Sequence, residues 1–187
     1  RKNMELNFAN KNQWKEIKEI YMEAFPKSEK KPFFIIKHSV KIGKAQIITA
    51  IENDILQGFA IIIPYKNMIM LDYLAVSHKT RSNGTGSKIM SKLCKQFSDK
   101  KIVLLIERID GNAENNQQRI ARRKFYIKNG FRSSHIFING VSGNMEILNN
   151  GKNVSYQEYM ELQQYALGKL LFKLSKITLV ESPSSKS

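Results

Sequence analysis

Chemistry concentrates in one stretch of this chain, Arg81-Ser82-Asn83-Gly84-Thr85-Gly86, which follows the apolar run ending in Leu74-Ala75-Val76 and leads into a helical pattern. Glycines allow successive backbone N–H groups to point the same way without Cβ clashes, which makes a concave anion nest. A helix that opens at this point adds the positive end of its dipole, and Arg81 adds a full charge. Together these suit a diphosphate. No Gly-Lys-Ser/Thr follows, so the loop is not a P-loop. The glycines are not spaced as in a dinucleotide-binding turn, and no long βαβ series follows. Taken alone, the spacing also fits an ordinary glycine-containing connection between a strand and a helix.

Other reactive side chains are sparse. Cys94 is the single cysteine, which excludes an internal disulfide, and it falls on an apolar helix face as a buried structural thiol would. His38, His78 and His135 are far apart in sequence and form no metal-binding spacing, so no metal is expected. No Gly-x-Ser-x-Gly elbow is present, which removes the usual hydrolase reading.

The elements that must position the glycine loop can be read from periodicity. Asn10 caps a helix with Gln13 reaching back, and Trp14, Ile17, Tyr21 and Ala24 recur along it until Pro26. A short helix over Phe33–Val40 is expected next. Ala45–Ile51, Ile55–Ile63 and Met68–Val76 then read as an antiparallel meander, turning at Asn53-Asp54 and at Pro64-Tyr65-Lys66-Asn67. After the loop, Ile89, Met90, Leu93, Cys94 and Phe97 share one helical face. A buried strand over Ile102–Ile106 and a helix over Asn116–Asn129, closed by Gly130, follow. Phe131–Ile138 and Asn144–Leu148 read as strands around Asn139-Gly140. Ser155-Tyr156-Gln157-Glu158 is a capping box that opens a final helix carrying Tyr159, Leu162, Ala166, Leu170 and Leu174. A single domain over residues 4–176 is expected, with residues 181–187 a disordered polar tail.

With its context, the loop resembles the acyl-CoA signature of the GNAT superfamily of N-acyltransferases. Tyr73-Leu74-Ala75-Val76 precedes it, and Arg123-Lys124-Phe125-Tyr126-Ile127-Lys128-Asn129-Gly130-Phe131 is similar to that superfamily's helix-then-strand segment, where an aromatic pair precedes a Gly-Phe step. In element order the resemblance runs from about Trp14 to Phe131. It implies an α/β fold in which a mostly antiparallel mixed sheet, splayed between strands four and five, is flanked by helices and followed by a C-terminal helix. It also implies acetyl-CoA as cofactor. Amides of Ser82, Asn83, Gly84, Thr85, Gly86 and Ser87 would hold the pyrophosphate, and backbone at Leu74, Ala75 and Val76 would pair with the pantetheine amides as an added strand. Tyr126 would be the general acid, protonated at neutral pH because a phenol titrates at about 10.

One position departs from the family pattern. Many members place an Asn seven residues before the tyrosine, and this chain has Arg119 there, with Asn115 and Asn116 one turn earlier. Arg119 and Asn116 are therefore the expected cofactor contacts on this helix. For the base that deprotonates the amine, the resemblance points to Glu107 after the short strand, with Asp72 as the second candidate. Positioning of an already neutral amine is a third route.

Composition sets the outer limits. The chain has 187 residues, 42% hydrophobic and 25% charged, enough for a core without disulfide or metal support. No run is long enough to cross a bilayer, and no apolar stretch follows the first residues, so neither a membrane partner nor a signal peptide is expected, and a cytoplasmic location is. Lys+Arg number 31 against 16 Asp+Glu, a net charge of +15. The lysines are spread along the chain rather than striped with aromatics, which favours a generally basic surface over a nucleic-acid site.

The expected reaction is direct transfer of an acetyl group from acetyl-CoA to the primary amine of a small-molecule or peptide acceptor. The alternatives are a non-catalytic basic nucleic-acid-binding or regulatory module on the same fold, and a transferase using a longer acyl donor. Cationic acceptors such as polyamines are disfavoured by the charge. The apolar face after Ser155 serves helix packing, a homodimer contact or a cover over the acceptor, and the sequence does not choose among them.

Overall fold

A computed structural model describes residues 3–81, 84–140 and 143–180. It divides into two compact units, residues 1–98 and 99–187.

The first unit is built on a four-stranded antiparallel meander: β1 (Glu5–Phe8), β2 (Gln46–Glu52), β3 (Ile55–Tyr65) and β4 (Met68–Val76). Asn53 and Asp54 both take positive φ (52° and 62°), the backbone of a tight two-residue hairpin, and Glu52 faces Ile55 across it. The second turn is shorter than the sequence pattern suggests. Pro64 and Tyr65 belong to β3, and only Lys66 and Asn67 make the connection. Pro64 is tolerated because β2 pairing ends at Ile62, so its missing N–H leaves no ladder bond unmade there.

Both faces of this sheet are covered, which explains the unbroken apolar run of β3. Helix α1 (Trp14–Ala24) brings Tyr21 against Tyr73, with ring centroids 5.2 Å apart. Helix α3 (Thr85–Gln96) brings Ile89 into a cluster with Met4 and Ala50, against which Leu74 and Val76 pack. Successive strand residues point to opposite faces, so the two helices lie on opposite sides of β4. Helix α2 (Phe33–Lys41) buries Phe33 and Ile36.

Sequence periodicity misses two features of this unit. Strand β1 is short and mostly exposed, with little hydrophobic pattern of its own, and it forms because β2 supplies its partners. Counting it makes the strand ending at Val76 the fourth rather than the third. Strand β4 is also bulged: Ile61 faces Tyr73 while Ile62 faces Leu71, which leaves Asp72 as the extra residue.

The second unit has strands in the order β5 (Lys101–Glu107), β7 (Gly143–Asn149), β6 (Arg132–Gly140) and β8 (Thr178–Val180), all antiparallel. Asn139 and Gly140, expected to turn, are the last residues of β6, with Gly140 opposite Gly143. Ser134 and His135 form a bulge in β6, where His135 takes φ 54°. Helix α4 (Asn116–Lys128) packs on β5.

The expected C-terminal helix is two helices. Ser155 caps α5 (Tyr156–Leu167), accepting from Glu158 N while Glu158 reaches back. Gly168 then takes φ 80°, ψ 153°, which only glycine adopts readily, so α5 ends there and α6 (Lys169–Ser175) begins. β8 follows it. The expected tail at 181–187 lies outside the described residues.

Candidate active site

The strand-to-helix connection is held by its own hydrogen bonds. Ser77 N donates to Gln57 O at 2.8 Å, extending the β3–β4 ladder one residue past Val76. A single turn over His78–Thr80 follows, in which Thr80 Oγ1 lies 3.2 Å from both Gln57 O and Ser77 O. Thr85 Oγ1 donates to Thr80 O at 3.0 Å and so ties the first residue of α3 back to this turn. Arg81 Nε donates to Val76 O at 3.4 Å, which holds the guanidinium at the strand end.

Gly84 is the N-cap of α3 in the left-handed conformation, φ 69°, and it has no side chain with which to cap the helix. Among the described residues, Lys88 N donates to Gly84 O at 3.0 Å, and the amides of Thr85 and Gly86 stand in the first turn, where a helix supplies no acceptor of its own. The first turn carries no acidic residue. Helix α5, by contrast, is closed by its Ser155 capping box, whereas α3 has no side-chain cap among the described residues. Ser82 and Asn83, expected to share the nest, lie outside the described residues.

Gly58 is a site feature that the sequence reading passed over. It sits on β3 opposite Val76, and a Cβ there would come within 2.3 Å of Ala75 O. The end of β4 therefore lies against β3 at a distance only glycine permits. An isolated glycine inside an apolar strand is the signal that marks such close approach.

In the second unit, Glu107 ends β5 opposite Met145. Its carboxylate accepts from Asn115 Nδ2 at 2.9 Å and from an Arg119 guanidinium nitrogen at 3.4 Å. Arg119 also donates to Asn115 Oδ1 at 2.8 Å and to Arg108 O at 2.9 Å. Asn116 Oδ1 accepts from Asp110 N at 3.0 Å. Glu107 and Arg119 are thus joined through Asn115 in one network, and the separate Asn116 bond adds to closing residues 108–115 onto the start of α4. The other carboxylate candidate, Asp72, is in the first unit, where Lys31 Nζ binds it at 2.7 Å.

Tyr126 is fixed by the end of α4. Gly130 takes φ 87°, Phe131 N donates to Tyr126 O and Gly130 N to Ile127 O, the paired bonds of a Schellman cap. That cap usually joins the flanking side chains by an apolar contact, and here the Tyr126 and Phe131 rings meet edge-on, 5.7 Å apart. The Phe125 ring also meets Tyr126 edge-on, 5.1 Å away. The aromatic pair before Gly-Phe is therefore a device for clamping Tyr126. Burial pushes its phenol up to about 12, with Arg122 pulling the other way, so it stays protonated across the neutral range.

A second feature missed from sequence supports α4. Arg123 makes two bonds of 3.2 Å to the Glu146 carboxylate, which is buried on β7. Burial also pushes the half-buried Cys94 thiol up, away from the reactive thiolate.

The acetyltransferase (GNAT) domain family matches residues 43–133. A GNAT-family protein from Bacteroides thetaiotaomicron superposes with a TM-score of 0.71 at 18% identity, over 90% of this chain and 98% of its own. The ribosomal-protein-S18-alanine N-acetyltransferase of Escherichia coli gives 0.59 at 17%, over 82% and 96%. A GNAT family acetyltransferase from Elizabethkingia anophelis, solved with acetyl-CoA bound, gives 0.54 at 17%, over 80% and 98%. At these identities the likeness is one of fold. No curated protein matches the chain by sequence.

Proposed function

The chain is a member of the GNAT acetyltransferase superfamily, and from that premise we propose that it transfers an acetyl group from acetyl-CoA to a primary amine by direct attack. The observation that carries this reading is the α3 start, with Gly84 in the left-handed region, no side-chain cap, no acid in the first turn, and Arg81 held at the end of β4. Similar folds solved with CoA or acetyl-CoA support the choice of ligand.

Acetyl-CoA supplies an activated acetyl thioester. The amides of Thr85, Gly86 and Ser87, with those of Ser82, Asn83 and Gly84, are the proposed diphosphate contacts, aided by the Arg81 charge. Backbone at Leu74–Val76 is the proposed partner for the pantetheine amides. Tyr126 keeps a proton on Oη and is the proposed acid for the departing sulfur. Glu107 is the proposed base, and its bonds to Asn115 and Arg119 hold the carboxylate in one orientation. Asn116 and Arg119, near the start of α4, are the proposed cofactor contacts on this helix.

Thermal stability measured with and without acetyl-CoA, with ATP as control, tests this directly. Ligand at about 100 times its Kd stabilises by roughly 2.7 kcal/mol. The shift is expected with acetyl-CoA, weaker with ATP, and lost in Gly84→Asp or Gly86→Asp, which set a carboxylate against the phosphates. No shift with any CoA species at millimolar concentration would put a basic binding module in its place.

A further inference from the structure

The first unit carries a second concave site, about 800 Å³, on the outer faces of α1 and α2 and the turn between them. Its size is that of a ligand pocket. Six lysines line it, Lys15, Lys18, Lys27, Lys30, Lys31 and Lys37, and no carboxylate does. The acids of α1, Glu16, Glu19 and Glu23, occupy other positions on the helix. Two of the lysines are committed within the fold: Lys30 Nζ donates to Met22 O at 2.8 Å, and Lys31 Nζ to Asp72 at 2.7 Å. Lys37 lies over the Trp14 ring, 5.5 Å from its centroid. Among the described residues, none of Lys15, Lys18, Lys27 and Lys37 pairs with a carboxylate, and all four are exposed.

Between these ammonium groups the wall is apolar. Phe34 and Met22 are 72% and 50% exposed, unusual for such side chains, and Trp14, Pro32 and Phe33 complete the floor. Four like charges around an apolar floor repel one another, and a neighbour with several separate negative charges relieves that repulsion. The charges stand on two helices and a turn rather than at one point, which matches successive carboxylates along an extended chain better than a single phosphate. A nucleic-acid surface would be a longer stripe in which arginine is prominent, and this pocket has none.

We propose that this pocket binds an acidic segment of polypeptide carrying apolar side chains, and that this segment bears the amine acceptor. Its role as acceptor rests on the transferase reading above, whereas its binding rests on the pocket alone. Lys31 joins the two regions, lining the pocket and bonding Asp72 on β4, two residues before Leu74.

Trp14 is the only tryptophan, so its fluorescence reports occupancy of the pocket. The full chain is titrated with a short Glu/Phe peptide, its Gln/Phe counterpart and an oligothymidylate of matched charge, with calorimetry in parallel. The Glu/Phe peptide is expected to bind saturably, more weakly as salt rises, and about tenfold more weakly in Lys15→Glu/Lys18→Glu. Phe34→Ala is expected to weaken it without changing the salt dependence. A retained acetyl-CoA thermal shift in the double variant shows that the cofactor loop and the fold are intact. Equal binding of the Gln/Phe peptide, no binding by either readout at millimolar peptide, or tighter binding of the oligothymidylate overturns the proposal. Peptide binding by a protein that acetyl-CoA does not stabilise supports the pocket and removes the acceptor role.

Discussion

Tyr126 combines clamped backbone with a phenol whose proton is hard to remove. Its carbonyl is held by Phe131 N and its ring by Phe125 and Phe131, so Tyr126→Phe removes one oxygen and leaves the packing in place. The expected outcome is a fall in kcat of about 10²–10⁴-fold with acetyl-CoA stabilisation unchanged. The sign of the pH effect follows from the raised value. Below about 10 the phenol is protonated in both folded and unfolded chains, and between there and about 12 only the folded form keeps the proton. Stability tied to Tyr126 is therefore constant up to about pH 10 and declines above it. An alkaline loss of kcat well below pH 10 belongs to another group and is expected to persist in Tyr126→Phe; its disappearance in that variant would contradict a phenol held up at about 12.

Two elements meet where Gly58 lies beneath the end of β4. Because the neighbour a Cβ would strike is a backbone oxygen, neither strand can yield by a rotamer change. Gly58→Ala is expected to cost about 1–3 kcal/mol and to weaken acetyl-CoA, by moving Ala75 and Val76. Denaturant unfolding and the ligand-induced thermal shift measure the two effects separately. Helix α4 offers a second case. Arg123→Ala leaves the buried Glu146 unpaired, a loss toward the lower end of about 3–5 kcal/mol because Arg123 is itself a third exposed. Arg123→Lys keeps the charge but not the two-pronged geometry and should recover only part of it, in the same unfolding measurement.

At the scale of the whole molecule the dominant property is charge. A net charge of +15 raises the local concentration of an anionic ligand and speeds encounter. Screening removes that advantage, so the association rate of acetyl-CoA should fall as salt rises from low to physiological strength, while dissociation changes little. Stopped-flow rates at several ionic strengths check this, and an equal effect on both rates would place the charge dependence in the contacts themselves. On the proposed transferase reading, the same field would work against cationic acceptors.

What the sequence determined by itself is local. Asn53-Asp54 turns because both residues tolerate positive φ, Ser155 to Glu158 cap a helix reciprocally, Gly130 closes α4, and Gly84 opens α3 without a cap. Each depends on residues within one turn of each other, so type and spacing suffice. The glycine loop was readable for the same reason, whereas Tyr126 was singled out by the resemblance of its segment to a family pattern. Tertiary structure decided what depends on partners distant in sequence. β1 exists because β2 offers hydrogen bonds to a strand with little pattern of its own. Asp72 is bulged out by the β3–β4 register, which places its carboxylate on Lys31, forty-one residues away in sequence. Glu146 is tolerated within β7 because the fold brings Arg123 to it. Gathering six lysines and no acid around one pocket needed two helices and a turn to face the same space. In the linear chain those lysines read only as dispersed charge, because sequence spacing does not encode which faces of different elements will meet.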